Sequence, residues 1–68
     1  MFFIFIKACK KYKFTFSFLT HGKLILTLYP NNSFDVISIR YDYNNFKYNR
    51  MFLEAIKKMR DYRKGEQY

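Results

Sequence analysis

Apolar and polar residues alternate along much of the first 42 residues of the chain. Residues 13–20, 23–29 and 34–42 each place apolar side chains at every second position. This period is typical of β-strands, because successive side chains point to opposite faces of a sheet. Residues 2–9 are apolar at nearly every position, which predicts a strand covered on both faces. The pattern therefore predicts four strands.

Turn-forming residues separate the predicted strands. His21-Gly22 is typical of a two-residue hairpin turn, because glycine adopts a positive φ at little cost. Residues 30–33, Pro-Asn-Asn-Ser, have the composition of a tight turn. Short loops at both places predict that neighbouring strands run antiparallel.

Two-residue loops also fix which side chains share a face of the sheet. Phe18 then opposes Ile25, and Phe14 opposes Tyr29. Leu24 then opposes Ile39 and Leu26 opposes Ile37 on the other face, so both faces carry apolar side chains. One helix covers only one face, and the other face predicts a homodimer that forms face to face.

Beyond about residue 46 the hydrophobic period changes from 2 to 3.6 residues, as in an amphipathic helix. The apolar stripe consists of Tyr48, Phe52, Ala55, Ile56, Met59 and Tyr62. The stripe predicts a continuous helix over about residues 45–64, with Phe52, Ile56 and Met59 buried against the sheet.

Together these elements predict an α+β fold, with a single domain over residues 1–68. Its architecture is a four-stranded antiparallel β-meander followed by one C-terminal α-helix packed on the sheet. The alternative is a small, partly closed barrel with the same helix. A chain of 68 residues has the length of one small domain.

The chain is strongly basic, with 13 Lys and Arg against 5 Asp and Glu and a formal net charge of +8. Such a charge favours acidic partners, which include an acidic protein surface, a nucleic acid and an anionic membrane. Phe, Tyr, Ile, Lys and Asn are all encoded by AT-rich codons. Part of the positive charge is therefore attributable to the genome.

Cations and aromatic residues concentrate in three places, which we take as candidate binding residues. One is the C-terminal part of the predicted helix, where a basic amphipathic face is typical of contact with phosphates, membranes or acidic proteins. The others follow the first predicted strand and flank the start of the helix. The candidates are Lys57, Lys58, Arg60, Arg63, Lys64, Lys10, Lys11, Lys13, Arg40, Tyr43, Lys47 and Arg50.

Catalytic and metal-binding constellations are missing from the sequence. His21 is the single histidine and Cys9 the single cysteine, too few for a zinc site or an intrachain disulfide. The two glycines do not form a phosphate-binding loop. We therefore expect a protein that is not an enzyme and needs no cofactor or metal.

The apolar run over residues 2–6 is too short to span a bilayer and lacks the features of a signal peptide. We expect a cytoplasmic protein without a membrane span. If the chain is viral, the compartment is the cytoplasm of the host.

Three phenylalanines alternate behind a lysine in residues 13–18, Lys-Phe-Thr-Phe-Ser-Phe. The spacing of the rings resembles the aromatic strands of RNA-recognition and cold-shock modules, which stack bases on a sheet. The glycines of those motifs are absent here. A core position for the rings is the preferred interpretation, and a nucleic-acid platform is the alternative.

In length, charge and aromatic content the chain resembles the small accessory proteins of bacteriophages and other viruses. The resemblance rests on size and character and carries no motif. It implies a non-enzymatic inhibitor of the anti-defence, anti-CRISPR or host-enzyme type, whose partner is a host protein or nucleoprotein complex with an acidic surface. The alternative function is a basic nucleic-acid-binding protein with little sequence preference.

Overall fold

The computed structural model describes residues 1–20, 22–42 and 47–65, and the fold has two layers, a sheet and a pair of helices. The elements in these ranges are helix α1 (Phe2–Tyr12), strands β1 (Phe14–Thr20), β2 (Lys23–Pro30) and β3 (Ile37–Asp42), and helix α2 (Tyr48–Gly65). The strands form one antiparallel sheet in the order β1-β2-β3. The α+β class is confirmed, but the described residues contain three strands and two helices instead of four strands and one helix.

Residues 2–9 form most of helix α1, so the predicted first strand is wrong. The helix turns Phe5 and Cys9, four residues apart, to the same side, where both are buried. Phe3 and Ile4 point to solvent. An unbroken apolar run is compatible with either a covered strand or a helix. The helix is the conformation that packs both Phe5 and Cys9 into the core.

The hairpin between β1 and β2 differs by one residue from its predicted register. Thr20 pairs with Leu24, which leaves three residues between them, and Gly22 has a φ of 69°. Phe18 therefore opposes Leu26 instead of Ile25. A shift of one residue moves a whole strand to the other face, because side chains alternate with a period of two.

Strand β3 begins at Ile37, three residues later than predicted. Leu26 pairs with Ile39 where the sequence predicted Ile37, a shift of two residues that leaves the faces unchanged. The preceding segment is held on α2 by the Tyr62 hydroxyl. This hydroxyl lies 3.1 Å from Ser33 Oγ and donates a hydrogen bond of 2.7 Å to Asp35. These contacts keep residues 33–36 out of the sheet.

The corrected register gives the sheet one apolar face and one largely polar face. The apolar face carries the phenylalanines of β1, the leucines of β2 and Ile39, and it is covered by the helices. The open face carries Thr15, Ser17, Leu19, Lys23, Ile25, Thr27, Tyr29, Ser38 and Arg40. The prediction of two apolar faces is therefore wrong. The argument for a face-to-face dimer placed Phe14 on an uncovered face, but its side chain lies on the covered face and is 5% exposed.

Helix α2 agrees with the predicted C-terminal helix. Phe52 and Met59 are buried as predicted, whereas Ile56 is half-buried at the edge of the core. The predicted helix also includes residues 45–46, which lie outside the described residues. The core forms where α2 and α1 both meet the apolar face of the sheet.

The two helices run side by side in the same direction. At their N-terminal ends the rings of Phe2 and Phe52 lie 5.7 Å apart. At their C-terminal ends the Arg63 side chain binds the carbonyl of Tyr12. Between these points the ring centre of Phe5 lies 4.9 Å from that of Phe52 and 5.0 Å from that of Phe16. The Phe5 ring therefore joins both helices to β1.

Phe5→Ala tests the helical assignment of the N-terminal segment. The Phe5 ring has no exposed surface, and truncating a buried phenylalanine costs about 3–5 kcal/mol. We expect Phe5→Ala to remove most of the cooperative unfolding transition, measured by urea denaturation. Phe3→Ala is the matched control, because Phe3 is 80% exposed, and it should leave the midpoint nearly unchanged. Equal effects of the two changes would contradict the helix.

Candidate functional site

Cys9 and His21 are the single cysteine and the single histidine of the sequence. Cys9 is buried, and burial raises the pKa of its thiol to about 11, so the thiol stays protonated at neutral pH. Within the described ranges no three metal-ligating side chains cluster, and no helix is long and apolar enough to cross a membrane. His21 lies outside those ranges.

Tyr41 links strand β3 to helix α2. Its hydroxyl donates a hydrogen bond to the carboxylate of Glu54. Burial, followed by this hydrogen bond and the negative charge of Glu54, raises the pKa of Tyr41 to about 12, against a smaller opposing effect of Arg50. The neutral phenol is the form that donates to the carboxylate, so the hydrogen bond between β3 and α2 is present at neutral pH.

An apolar groove opens at the end of the molecule where both helices begin. It has a volume of about 590 Å³, and its walls come from α1, β1 and α2. The lining residues are Met1, Phe2, Phe16, Phe18, Tyr48, Asn49 and Phe52. We call this feature the aromatic groove.

Several rings of the aromatic groove are accessible to solvent although they pack on one another. Phe2 is 48% exposed, Phe18 39% and Tyr48 57%. Phe2 is held edge-on against Phe16, and Tyr48 stacks on Phe52. Rings that are fixed on one side and wet on the other lose little conformational entropy when a partner covers them. The groove is therefore suited to binding an apolar side chain.

The surroundings of the aromatic groove are positively charged. Lys47 and Arg50 are exposed and neighbour the lining residues Tyr48 and Asn49 in the sequence, and Arg50 lies close enough to Tyr41 of β3 to affect its pKa. The first turn of neither helix contains an acidic residue, so no carboxylate within these turns offsets the positive ends of the helix dipoles. A negatively charged group beside the groove is electrostatically favoured.

Cations gather at the opposite end, where both helices finish. We call this set the cationic end, and its members are Lys10, Lys11, Lys13, Arg60, Arg63 and Lys64. All of them except Arg63 are exposed. Asp61 lies among them and pairs with Arg60 at 3.4 Å. The parallel helices bring the α2 cations and the lysines of residues 10–13 to the same end of the molecule.

Arg63 differs from the other candidate binding residues because its side chain is half-buried. It donates hydrogen bonds to the carbonyls of Tyr12 at 2.5 Å and Lys13 at 2.8 Å. Its guanidinium also lies 5.1 Å from the ring centre of Phe14. These carbonyls end α1, where Lys13 adopts a left-handed conformation. Arg63 thus caps α1 and joins it to α2.

The remaining candidates are dispersed. Lys57 and Lys58 are exposed in the middle of α2, and Arg40 lies on the open face of β3. Tyr43 lies outside the described residues. Lys47 precedes α2 and Arg50 lies in its first turn, so the structure does not bring all twelve candidates into one site.

The aromatic groove itself was not predicted. Phe2, Phe18 and Tyr48 come from three elements, and α1 must be a helix for Phe2 to reach the others. The available signal is the helical spacing of Phe2, Phe5 and Cys9 within the apolar run.

Comparison of the chain with protein-family models, with curated proteins and with solved structures finds no match.

Arg63→Lys tests whether this cation serves the fold. Lysine keeps the charge but cannot reach both carbonyls with a planar fork. Hydrogen bonds from charged groups contribute about 1.5–3 kcal/mol, and the Arg63 guanidinium is partly solvated. We therefore expect the free energy of unfolding to fall by roughly 1–2 kcal/mol. Lys64→Arg, the exposed neighbour, is the matched control and should change stability little. A fully stable Arg63→Lys variant would argue against the cap.

Proposed function

We propose that this chain is a non-enzymatic binding protein that acts by protein–protein contact through the aromatic groove. The observation that carries the proposal is the set of packed but solvent-exposed rings of Phe2, Phe18 and Tyr48. Aromatic residues, Met and Arg are enriched at protein interfaces. The raised pKa of the Cys9 thiol adds support, because it argues against a nucleophile in the core.

The occupant we propose is a partner segment that carries an apolar side chain flanked by acidic residues. The apolar side chain enters the groove, and the carboxylates face the N-terminal ends of α1 and α2. Charge complementarity supports this choice, since the whole chain carries +8 and the groove lies between positive helix ends. A partner of opposite charge also associates faster, because the electrostatic field steers the encounter.

In its biological setting we propose a viral-type accessory inhibitor in the cytoplasm of the host. The proposal rests on the character of the chain: a small basic protein with a binding groove. Such a protein acts by occupying a surface of a larger host protein or nucleoprotein complex. Anti-defence proteins, including anti-CRISPR inhibitors, and inhibitors of host enzymes are the classes we expect.

Site-specific photo-crosslinking tests the groove directly. A benzophenone amino acid replaces Tyr48 in the groove or, as the control, Ser38 on the open face of the sheet. We expect an acidic protein to crosslink in a host lysate from position 48 and not from position 38. Equal capture at both positions would argue against the groove.

Binding of the purified partner then tests the contribution of the ring. Tyr48→Ala is compared with Leu53→Ala, because the two side chains are 57% and 58% exposed on the same helix and only Tyr48 lines the groove. Loss of an interface anchor costs about 1–2 kcal/mol or more, so we expect Tyr48→Ala to weaken binding about tenfold. Leu53→Ala should bind like the unmodified chain. Equal affinities would contradict the proposal.

The cationic end supports a second candidate function, contact with the phosphates of a nucleic acid. The observation that favours it is the contact of Arg63 with the end of α1, which places Lys10, Lys11 and Lys13 beside the last turns of α2. Base stacking on the strands receives less support. Phe14 is buried and Phe16 half-buried, and on the open face Tyr29 is the aromatic residue of the described strands.

Salt dependence tests the phosphate contact. If the cationic end binds duplex DNA, the logarithm of affinity should fall with the logarithm of salt concentration by about 0.9 per neutralised phosphate. Lys10→Gln and Lys64→Gln should each reduce this slope, measured by fluorescence anisotropy of a labelled duplex. Lys23→Gln, at the hairpin, is the control. Absence of binding at low salt would exclude this function.

A further inference from the structure

Strand β1 lies at an edge of the sheet and carries no protection against pairing with another strand. Its sequence, Phe14–Thr20, contains no charged residue, proline or glycine and alternates rings with small polar residues. Natural edge strands usually avoid this pattern, because their unpaired N–H and C=O groups can form hydrogen bonds with a strand of another chain. The opposite edge strand, β3, carries the charged residue Arg40, which is exposed.

Within the part of the chain that the structure describes, the backbone of β1 is paired on one side. Among the described residues β1 pairs with β2, and no backbone hydrogen bond joins Phe14–Thr20 to a third segment. Helix α1 contacts the ring of Phe16 in the first half of the strand, whereas the residues from Ser17 to Thr20 are exposed. The outer side of β1 therefore offers hydrogen-bonding groups over its second half.

The aromatic groove lies beside this edge. Phe16 and Phe18 of β1 form part of its lining. A strand added along β1 places every second side chain on the same face of the sheet as these rings. An added strand with apolar residues at alternate positions would cover Phe18, which is 39% exposed.

We propose that β1 of a second copy of this chain is the strand that pairs here, in an antiparallel arrangement about a twofold axis at Ser17. The two three-stranded sheets then form one continuous sheet. Phe16 of each copy faces Phe18 of the other, on the side of the groove. Strand β1 is complementary to itself in this arrangement because Phe16 and Phe18 lie symmetrically about Ser17, and Phe14 falls opposite Thr20.

The charge distribution favours this dimer over the face-to-face dimer predicted from the sequence. Neither β1 strand carries a charge, so no like charges meet along the paired edge. Antiparallel pairing also directs the Lys13 end of one strand to the hairpin end of the other, which separates the two cationic ends. The remaining repulsion between two chains of +8 is long-ranged and is screened by salt.

Sedimentation velocity of the purified chain tests the proposal. We expect a mass of two chains that falls to one chain over roughly a hundredfold dilution, as mass action requires. Raising the ionic strength should tighten the dimer. A mass of one chain at every concentration and salt level would overturn the inference.

Charged variants at the twofold axis locate the contact. Ser17 is exposed and lies outside the groove lining, so Ser17→Lys leaves the groove intact and places two like charges opposite each other. We expect it to weaken the dimer about tenfold or more. Ser38→Lys, an exposed change on β3 with the same charge, should not.

Mixing Ser17→Lys with Ser17→Glu separates pairing from a loss of folding. If β1 pairs with β1, the mixture forms a heterodimer more tightly than either variant pairs with itself. Equal association of all three samples would overturn the proposed axis. Because the two variants keep Tyr48 and Phe2, photo-crosslinking through the groove reports the proposed function separately from dimerisation.

Discussion

The register between β1 and β2 is the constraint on which the rest of the structure depends. By pairing Thr20 with Leu24 it sets the rings of β1 and the leucines of β2 on one face of the sheet. This apolar face is too rich in large side chains for α2 to cover alone. Helix α1 completes the cover with Phe5, which is fully buried and contacts both β1 and α2. The second helix is thus a consequence of the register.

The sequence predicts the elements whose periodicity extends over enough residues to exclude the alternative. Helix α2 has a stripe of several turns, and β1 and β2 alternate cleanly, so their bounds agree closely with those predicted. Helix α1 was assigned wrongly because its apolar run is continuous at the start, and a continuous run carries no period. The late start of β3 depends on Tyr62, 27 residues from Asp35 along the chain, which local patterns do not reveal.

The candidate binding residues show the same division between local and distant information. Lysines on exposed helix faces are predictable, since a charged side chain rarely lies in a small core. In the sequence Arg63 and Lys64 are both cations in the last turn of the predicted helix. Arg63 nevertheless caps α1, because the carbonyls of Tyr12 and Lys13 lie within hydrogen-bond distance of its side chain. The aromatic groove needs three elements in their final positions. No local pattern contains it.

The capping of α1 by Arg63 has a consequence for synthesis on the ribosome. The hydrogen-bonded pair Arg63 and Tyr12 is separated by 51 residues, so nearly the whole chain must leave the exit tunnel before the contact forms. Until then Phe2, Phe5 and the rings of β1 lack the cover of α2. The nascent chain therefore exposes apolar side chains in its N-terminal segment. We expect a chaperone that binds apolar segments to bind it before α2 emerges.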